Sequence, residues 1–365
     1  MNSQRRRAKS AVKPPKTVSD SSVDLTRLLD IVLAFPRQRI CVIGDFVLDE
    51  FVSNAISRVS REAPVLILRH QRTDAYPGGA ANAVNNLADL GARVLPVGVV
   101  GDDEPGRALL DLFRSKRIDT SRVQRVRNWV TPTKTRFLAG WTHTTEQQVL
   151  RVDREPTDDM PQASQQAIAR RGRAAARRAD AVLVSDYGFG VVTPSLVRSL
   201  RAKRITLDSR YRLLEYQNTG VTAATPNEPE LEAAYHEQIG TDVRKLEELG
   251  ERALRDLDVA SLLVTRGKDG MAVFERPAQA GGNSPMLVRH VPIYGSDAPV
   301  DVTGAGDTVI AAFSAALAAG ATTEEAAQLA NYAGGIVVMK RGTATVSREE
   351  LLHALEQSPP ATRPH

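Results

Sequence analysis

The sequence is short of cysteine, of long apolar runs and of metal-binding spacings, and each shortage excludes something. Cys41 is the one cysteine, so no intrachain disulfide can form, which fits a reducing compartment. No uninterrupted apolar run approaches the ~20 residues that span a bilayer. The N-terminal charges precede no apolar segment of the secretory kind, so a cytoplasmic protein with no membrane partner is expected. The six histidines lack His-x-x-x-His spacing, which argues against a zinc site. There is no internal repeat and no H-x-G-H type motif, which disfavours nucleotidyl transfer.

Positive charge is also missing from most of the chain. The net charge is +5, and residues 1–20 carry all of it: Arg5, Arg6, Arg7, Lys9, Lys13 and Lys16 against Asp20. The remainder is neutral, so the high charge belongs to the tail and not to a fold-wide basic face, which argues against nucleic-acid binding by the domain. The tail is polar and without an apolar face, so disorder is expected there.

What is present is alternation. Apolar runs at 39–44, 64–71, 93–101, 180–186, 204–208, 220–227 and 260–267 read as strands, and 270–275 as a hairpin partner of the last. Helical spacing falls at 78–92, 104–118, 162–178, 193–202, 306–319, 323–339 and 347–356. This pattern predicts an α/β fold with a doubly wound, mostly parallel sheet flanked by helices. Ligands then bind beyond the carboxyl ends of the strands, which draws attention to Asp45, Asp186, Asn227 and Gly267. Extended segments near 46–53, 63–72 and 130–152 break the alternation and predict a small β lid.

The stretch "DVTGAGDTVI" (301–310) places Asp307 after a Gly304-Ala305-Gly306 turn at a helix mouth. Successive amides there make a nest for an anion. An acid in that place is either a helix cap or a base that takes a proton from an alcohol as it attacks a phosphoryl group. "PGGAAN" lets Gly78 and Gly79 bring backbone close to a small polar ligand, with the Asn82 amide able to bond hydroxyls. Asp45 and Asp49 follow the first strand and suit a polyol. "NEPE" sets Asn227 and Glu230 three apart, either to support a hydrated Mg²⁺ or simply to start a helix. Cys41, in an apolar strand, reads as an inert core residue.

Together these stretches resemble the ribokinase/PfkB family of carbohydrate kinases, over residues of about 38 to about 355. Gly78, Gly79 and Asn82 match its N-terminal signature, 301–313 its C-terminal signature, and Asn227–Glu230 its N-x-x-E motif. The resemblance implies a ribokinase-like fold, with Asp307 as catalytic base and Gly304, Ala305 and Gly306 as the anion hole. It implies ATP and Mg²⁺ as cofactors, the metal held through water by Glu230. It also implies K⁺ beside Asp301, and a nucleotide site at Asn227, Thr265, Gly267, Gly270, Asn331 and Gly342. Gly267 reads equally as a hairpin turn.

Within the family, "GDFVLDEF", "SRVSREAPV", "QQVLRVDRE", "SDYGFG" and "NYAGGIVVMKRGTATVS" resemble bacterial D-glycero-β-D-manno-heptose 7-phosphate kinases of lipopolysaccharide-core precursor synthesis, which phosphorylate O1. Such kinases often carry a second, adenylyltransferase domain; this chain ends at His365, so a kinase-only form is expected. Substrate contacts are expected from Asp45, Asp49, Gly78, Gly79, Asn82 and Asp186, and from Arg58 or Arg210 on the sugar's phosphate. Two departures stand out: Phe189 and "DSRY" (208–211) replace lysine-bearing motifs of the heptose kinases, and Arg210 or Arg212 is the candidate replacement. The expected organisation is a tail and leading helix (1–37), a kinase domain (38–357), a tail (358–365) and a homodimer through the lid. The rival readings are a kinase for another sugar or nucleoside, and a non-catalytic sugar sensor.

Overall fold

A computed structural model describes residues 16–17, 24–141, 145–276, 286–296 and 298–357. Of the basic tail, only the backbone of Lys16–Thr17 falls among them; the rest of 1–23, and the 358–365 tail, lie outside.

Among the described residues a nine-stranded sheet forms the centre. In spatial order its strands are Lys16–Thr17, Leu287–Val291, Met271–Glu275, Ser261–Thr265, Ala223–Ala224, Ile205–Ser209, Ala181–Asp186, Arg39–Gly44 and Arg93–Val97. All neighbours are parallel except Met271–Glu275, which runs antiparallel to both of its own. The fold is thus α/β with a mostly parallel, doubly wound sheet, as the alternation predicts.

Strand periodicity sorts side chains between two cores. Ile40 and Val42 face the helices Leu25–Leu33, Ala80–Asp89, Ala305–Ala318 and Thr323–Val337, while Cys41 and Ile43 face Gln162–Ala176 and Val243–Asp256. Burial pushes the Cys41 thiol up to about 12, which leaves it inert at neutral pH. The Ala305–Ala318 helix is buried from Asp307 to Leu317. Its alanines favour the helix and let it pack tightly between the sheet and Thr323–Val337.

The run 93–101 is not one strand. It breaks at Gly98, and Val99–Gly101 pairs with Gln124–Val126 in a separate two-stranded sheet. A methyl group at 98 would lie 2.7 Å from the Phe46 ring, so only glycine lets the chain pass. The Val243–Asp256 helix and the Leu287–Val291 strand were not anticipated.

A second sheet has the order Leu66–Gly79, Phe46–Val59, Thr133–Gly140, Gln147–Arg154. Its strands extend beyond the predicted 46–53 and 63–72, and the second ends in Gly78-Gly79, delivering the chain into the helix at Ala80. Val149, Leu150 and Val152 on its edge strand are exposed. Among the described residues no helix is long and apolar enough to cross a membrane.

Candidate active site

The parallel strands end on one side of the sheet, and the Ala305–Ala318 helix begins there. Gly304 is its N-cap, at φ +78°, in the left-handed region that favours glycine. A methyl group at 304 would lie 2.5 Å from Asn82 Nδ2, whereas one at Gly306 would meet nothing within 4 Å outside its own helix and chain neighbours. Gly306 therefore opens onto free space.

Asp307 does not cap the helix. Its Oδ2 accepts from Asn82 Nδ2 at 3.0 Å and its Oδ1 from the Tyr187 hydroxyl at 2.8 Å. The carboxyl is 4% exposed. Burial raises its pKa to about 7, against the lowering effect of these two donors. The nest is also narrower than the turn suggests. Ala305 N–H already donates to the Val302 carbonyl at 3.2 Å. The amides of Gly306 and Asp307 have no backbone acceptor among the described residues, as the first turn of a helix leaves its donors unpaired.

Three residues expected to grip substrate are buried and bonded within the protein. Asn82 is fully buried; besides Asp307 it bonds Asn86, which accepts from Thr308. Asp45 is 1% exposed and accepts the amides of Tyr187, Phe189 and Val191 at 2.8, 3.2 and 3.2 Å. It thereby fixes the 187–191 loop, and burial raises its pKa to about 7. Asp186 holds Arg212, Ser209, Tyr216 and the Gly188 amide. That bond removes Arg212 as a replacement cation. Phe189 packs against the core, as its side chain requires.

Asp49 pairs with Arg136 at 2.6 Å and accepts from Thr343 at 3.3 Å. Gly78 is needed beside it, because a methyl group there would lie 2.4 Å from the carboxylate. Gly79 sits at φ +55° against the Asp45 carbonyl. Arg58 is exposed nine residues beyond Asp49 on the Phe46–Val59 strand, about 30 Å away at the usual rise. The fold does not bring Arg58 to this site.

Two cavities meet at Gly306. One, of ≈ 190 Å³, is lined by Thr265, Gly267, Gly270, Val309, Asn331 and Gly335, among others. Asn331 lines it but uses its amide to brace Tyr294 N–H and the Pro292 carbonyl. Gly267 and Gly270 flank the short turn between Ser261–Thr265 and Met271–Glu275, so the hairpin and cavity readings coincide. Gly342 lies outside this lining; its amide donates to Asp301, whose other oxygen takes the Thr303 amide.

The second cavity, of ≈ 490 Å³, is lined by Tyr187, Asp208, Arg210, Asn227, Glu230 and Asp307, among others. Asn227 and Glu230 cap their helix reciprocally, at 2.8 and 3.0 Å. The helix-start reading therefore holds, and both residues still face the cavity. Burial raises the Asp208 and Glu230 carboxyls, and Glu230 raises Asp208 further. Arg210 makes no ion pair among the described residues, and its guanidinium lies 6.0 Å from the Tyr187 ring. Lys134 Nζ reaches the same ring at 5.3 Å from the second sheet.

Sequence reasoning missed Tyr187, Lys134 and Thr225, a cavity-lining residue whose buried hydroxyl has no partner among the described residues. The place of Tyr187 beside Asp186 at a strand end was the one available signal.

An α/β sheet carrying an acid at an open helix mouth, between two cavities, defines a group-transfer enzyme of the kinase class. Residues 37–350 match the pfkB family of carbohydrate kinases, and the chain belongs to that family. It is accordingly a phosphotransferase acting on a sugar hydroxyl. It is 39% identical over 319 residues to the bifunctional protein HldE of Geobacter sulfurreducens, covering 86% of this chain and 62% of that protein. Against the bifunctional protein HldE of Mesorhizobium japonicum it is 38% identical over 337 residues, covering 90% and 64%. The chain thus spans less than two thirds of the length of these curated relatives. Its fold matches Arabidopsis thaliana ribokinase complexed with ribose and ATP, at TM-score 0.64 and 19% identity over 88% of this chain and 99% of that one. It also matches Escherichia coli phosphofructokinase-2 in complex with potassium, at TM-score 0.68 and 16% identity over 87% and 98%.

Proposed function

We propose that the chain phosphorylates O1 of D-glycero-β-D-manno-heptose 7-phosphate from ATP, in lipopolysaccharide-core precursor synthesis. The observation that carries the kinase mechanism is Asp307, buried and held by two side chains at the meeting point of two cavities. The similarity to the HldE proteins supports the heptose, as do the heptose-kinase stretches of the sequence.

In this reading Asp307 accepts the proton of the attacking hydroxyl. The amides of Gly306 and Asp307 face the transferring phosphoryl group. The smaller cavity takes the adenine nucleotide and the larger one the sugar and the phosphates between them. Arg210 and Lys134 supply the positive charge absent at position 189, and arginine suits a phosphate well.

Among the described residues no three or more His, Cys, Asp or Glu side chains converge as a direct metal cage. Asp208 and Glu230 share one cavity, which fits a hydrated Mg²⁺ carried on phosphates. Bound there, the ion would neutralise phosphate charge. Asp301 is assigned to K⁺, and replacing K⁺ by Na⁺ is expected to slow turnover.

The second sheet serves as a lid and pairs two copies through its exposed edge. Leu150→Glu should then turn a dimer into a monomer by light scattering.

A panel of sugars and sugar phosphates with ATP tests the substrate. Turnover of heptose 7-phosphate well above fructose, ribose and nucleosides is expected; an inert heptose would sink the substrate assignment. Asp307→Asn is expected to abolish turnover and keep ATP binding, and full activity in that variant would remove the base.

A further inference from the structure

We propose that Tyr187 is a positioning residue for Asp307, holding the carboxyl group aimed into the larger cavity. The inference rests on the reading of Asp307 as the base and adds a residue that neither signature motif contains.

The geometry carries it. The Tyr187 hydroxyl donates to Asp307 Oδ1 at 2.8 Å while Asn82 holds Oδ2. With one donor on each oxygen, the carboxylate cannot rotate without losing both bonds. Tyr187 is itself fixed at both ends: its backbone N–H donates to Asp45, and its ring lies under Lys134 and Arg210. Asp45 also holds the amides of Phe189 and Val191, so the loop carrying the phenol is tied down on either side.

The groups around Asp307 work against its ionisation. Burial is the largest effect, and Asp49 adds repulsion from the second sheet; Lys134 opposes them. Asp208, from the central sheet, is repelled by Asp307 in turn. Tyr187 and Asn82 are the two groups that bond the charged form directly. A donor favours the carboxylate over the carboxylic acid, which can accept less. Burial and Asp307 together hold the phenol far above its ordinary range, so it remains a donor at neutral pH.

The sign follows. Removing the hydroxyl raises the Asp307 pKa, so the ionised fraction at a given pH falls and the acid limb of kcat moves to higher pH. A stronger phenol donor moves it the other way.

The test uses the full chain. The Asp307 carboxyl is titrated by ¹³C NMR in the free protein, with Asp307→Asn identifying its signal. The kcat profile is measured with whichever sugar phosphate the wild type turns over. Tyr187→Phe keeps the ring and should raise the Asp307 pKa by about one unit. At or below neutral pH it should cut kcat about five- to tenfold, leaving the KM for ATP within about threefold. 3-Fluorotyrosine placed at 187 should lower the pKa, and it decides the matter if the Phe variant folds poorly. An unmoved titration in both variants overturns the inference, even if kcat falls, since a packing defect would do that. If Asp307→Asn retains turnover, the base reading fails and this inference with it. If Asp307→Asn is dead and Tyr187→Phe is like wild type, this inference alone fails.

Discussion

Asn82 and Asp307 meet at 3.0 Å across 225 residues of chain. The amide in the double-glycine motif is thus bonded to the proposed base and buried beside it. Asn82→Ala should lower kcat about 10- to 100-fold, the cost of a lost bond to a charged group. The KM for the sugar should stay within about threefold. A sugar contact would give the opposite split, which steady-state kinetics would show.

The raised Asp307 carboxyl makes stability depend on pH. Its folded pKa is about 7 against an ordinary value of 3.8. Between about pH 4 and pH 7 the unfolded chain gives up this proton while the folded chain keeps it. The fold therefore loses stability as pH rises through that window, by at most about 4 kcal/mol. Asp307→Asn lacks this term, and Asp45 acts equally in both proteins. The melting temperature of the variant minus that of the wild type should grow from pH 4 to pH 7, then level off. Calorimetry across that range checks it.

Gly304 and Gly306 should fail differently. Gly304→Ala strains a left-handed residue and presses on Asn82, which should destabilise the protein by about 1–2 kcal/mol and lower kcat. Gly306→Ala meets nothing within 4 Å outside its own helix, so its urea midpoint should match or exceed the wild type, as alanine favours the helix. Its loss should appear in kcat/KM for ATP. Equal midpoints for both variants would contradict the geometry.

Arg210, exposed at the rim of the larger cavity, should read the sugar's own phosphate. Arg210→Ala is expected to raise the KM for a phosphorylated sugar about 10- to 100-fold and to move the KM for ATP by no more than about threefold. Arg58→Ala, far out on the second sheet, should leave both constants of a single protomer unchanged. Initial-rate measurements with each substrate varied separately distinguish the two arginines.

The alternating sheet was legible because buried parallel strands read as short apolar runs between helical patterns. The break at Gly98 was not, because what forbids a side chain there is the distant Phe46 ring. Likewise, Asp45, Asn82 and Asp186 carry the right chemistry at strand and helix ends, but sequence does not say whether a carboxylate faces a cavity or a loop's amides. Lys134 was invisible for a related reason, since only the pairing of Phe46–Val59 with Thr133–Gly140 carries it to Tyr187. Local spacing located the Asp307 turn, and tertiary closure decided what surrounds it.

The site's bonds also set an order in time. Asp45 finds Tyr187 after 142 residues, Asp307 reaches back 225 to Asn82, and Thr343 reaches back 294 to Asp49. Contacts of such separation form late, because long loops must close first. On the ribosome, Asn82 waits 225 residues for Asp307 to be made, and Asp49 waits 294 for Thr343. A nascent chain that stops short of Asp307 therefore lacks the carboxylate at the helix mouth, and the bonds that surround it cannot close before it is made.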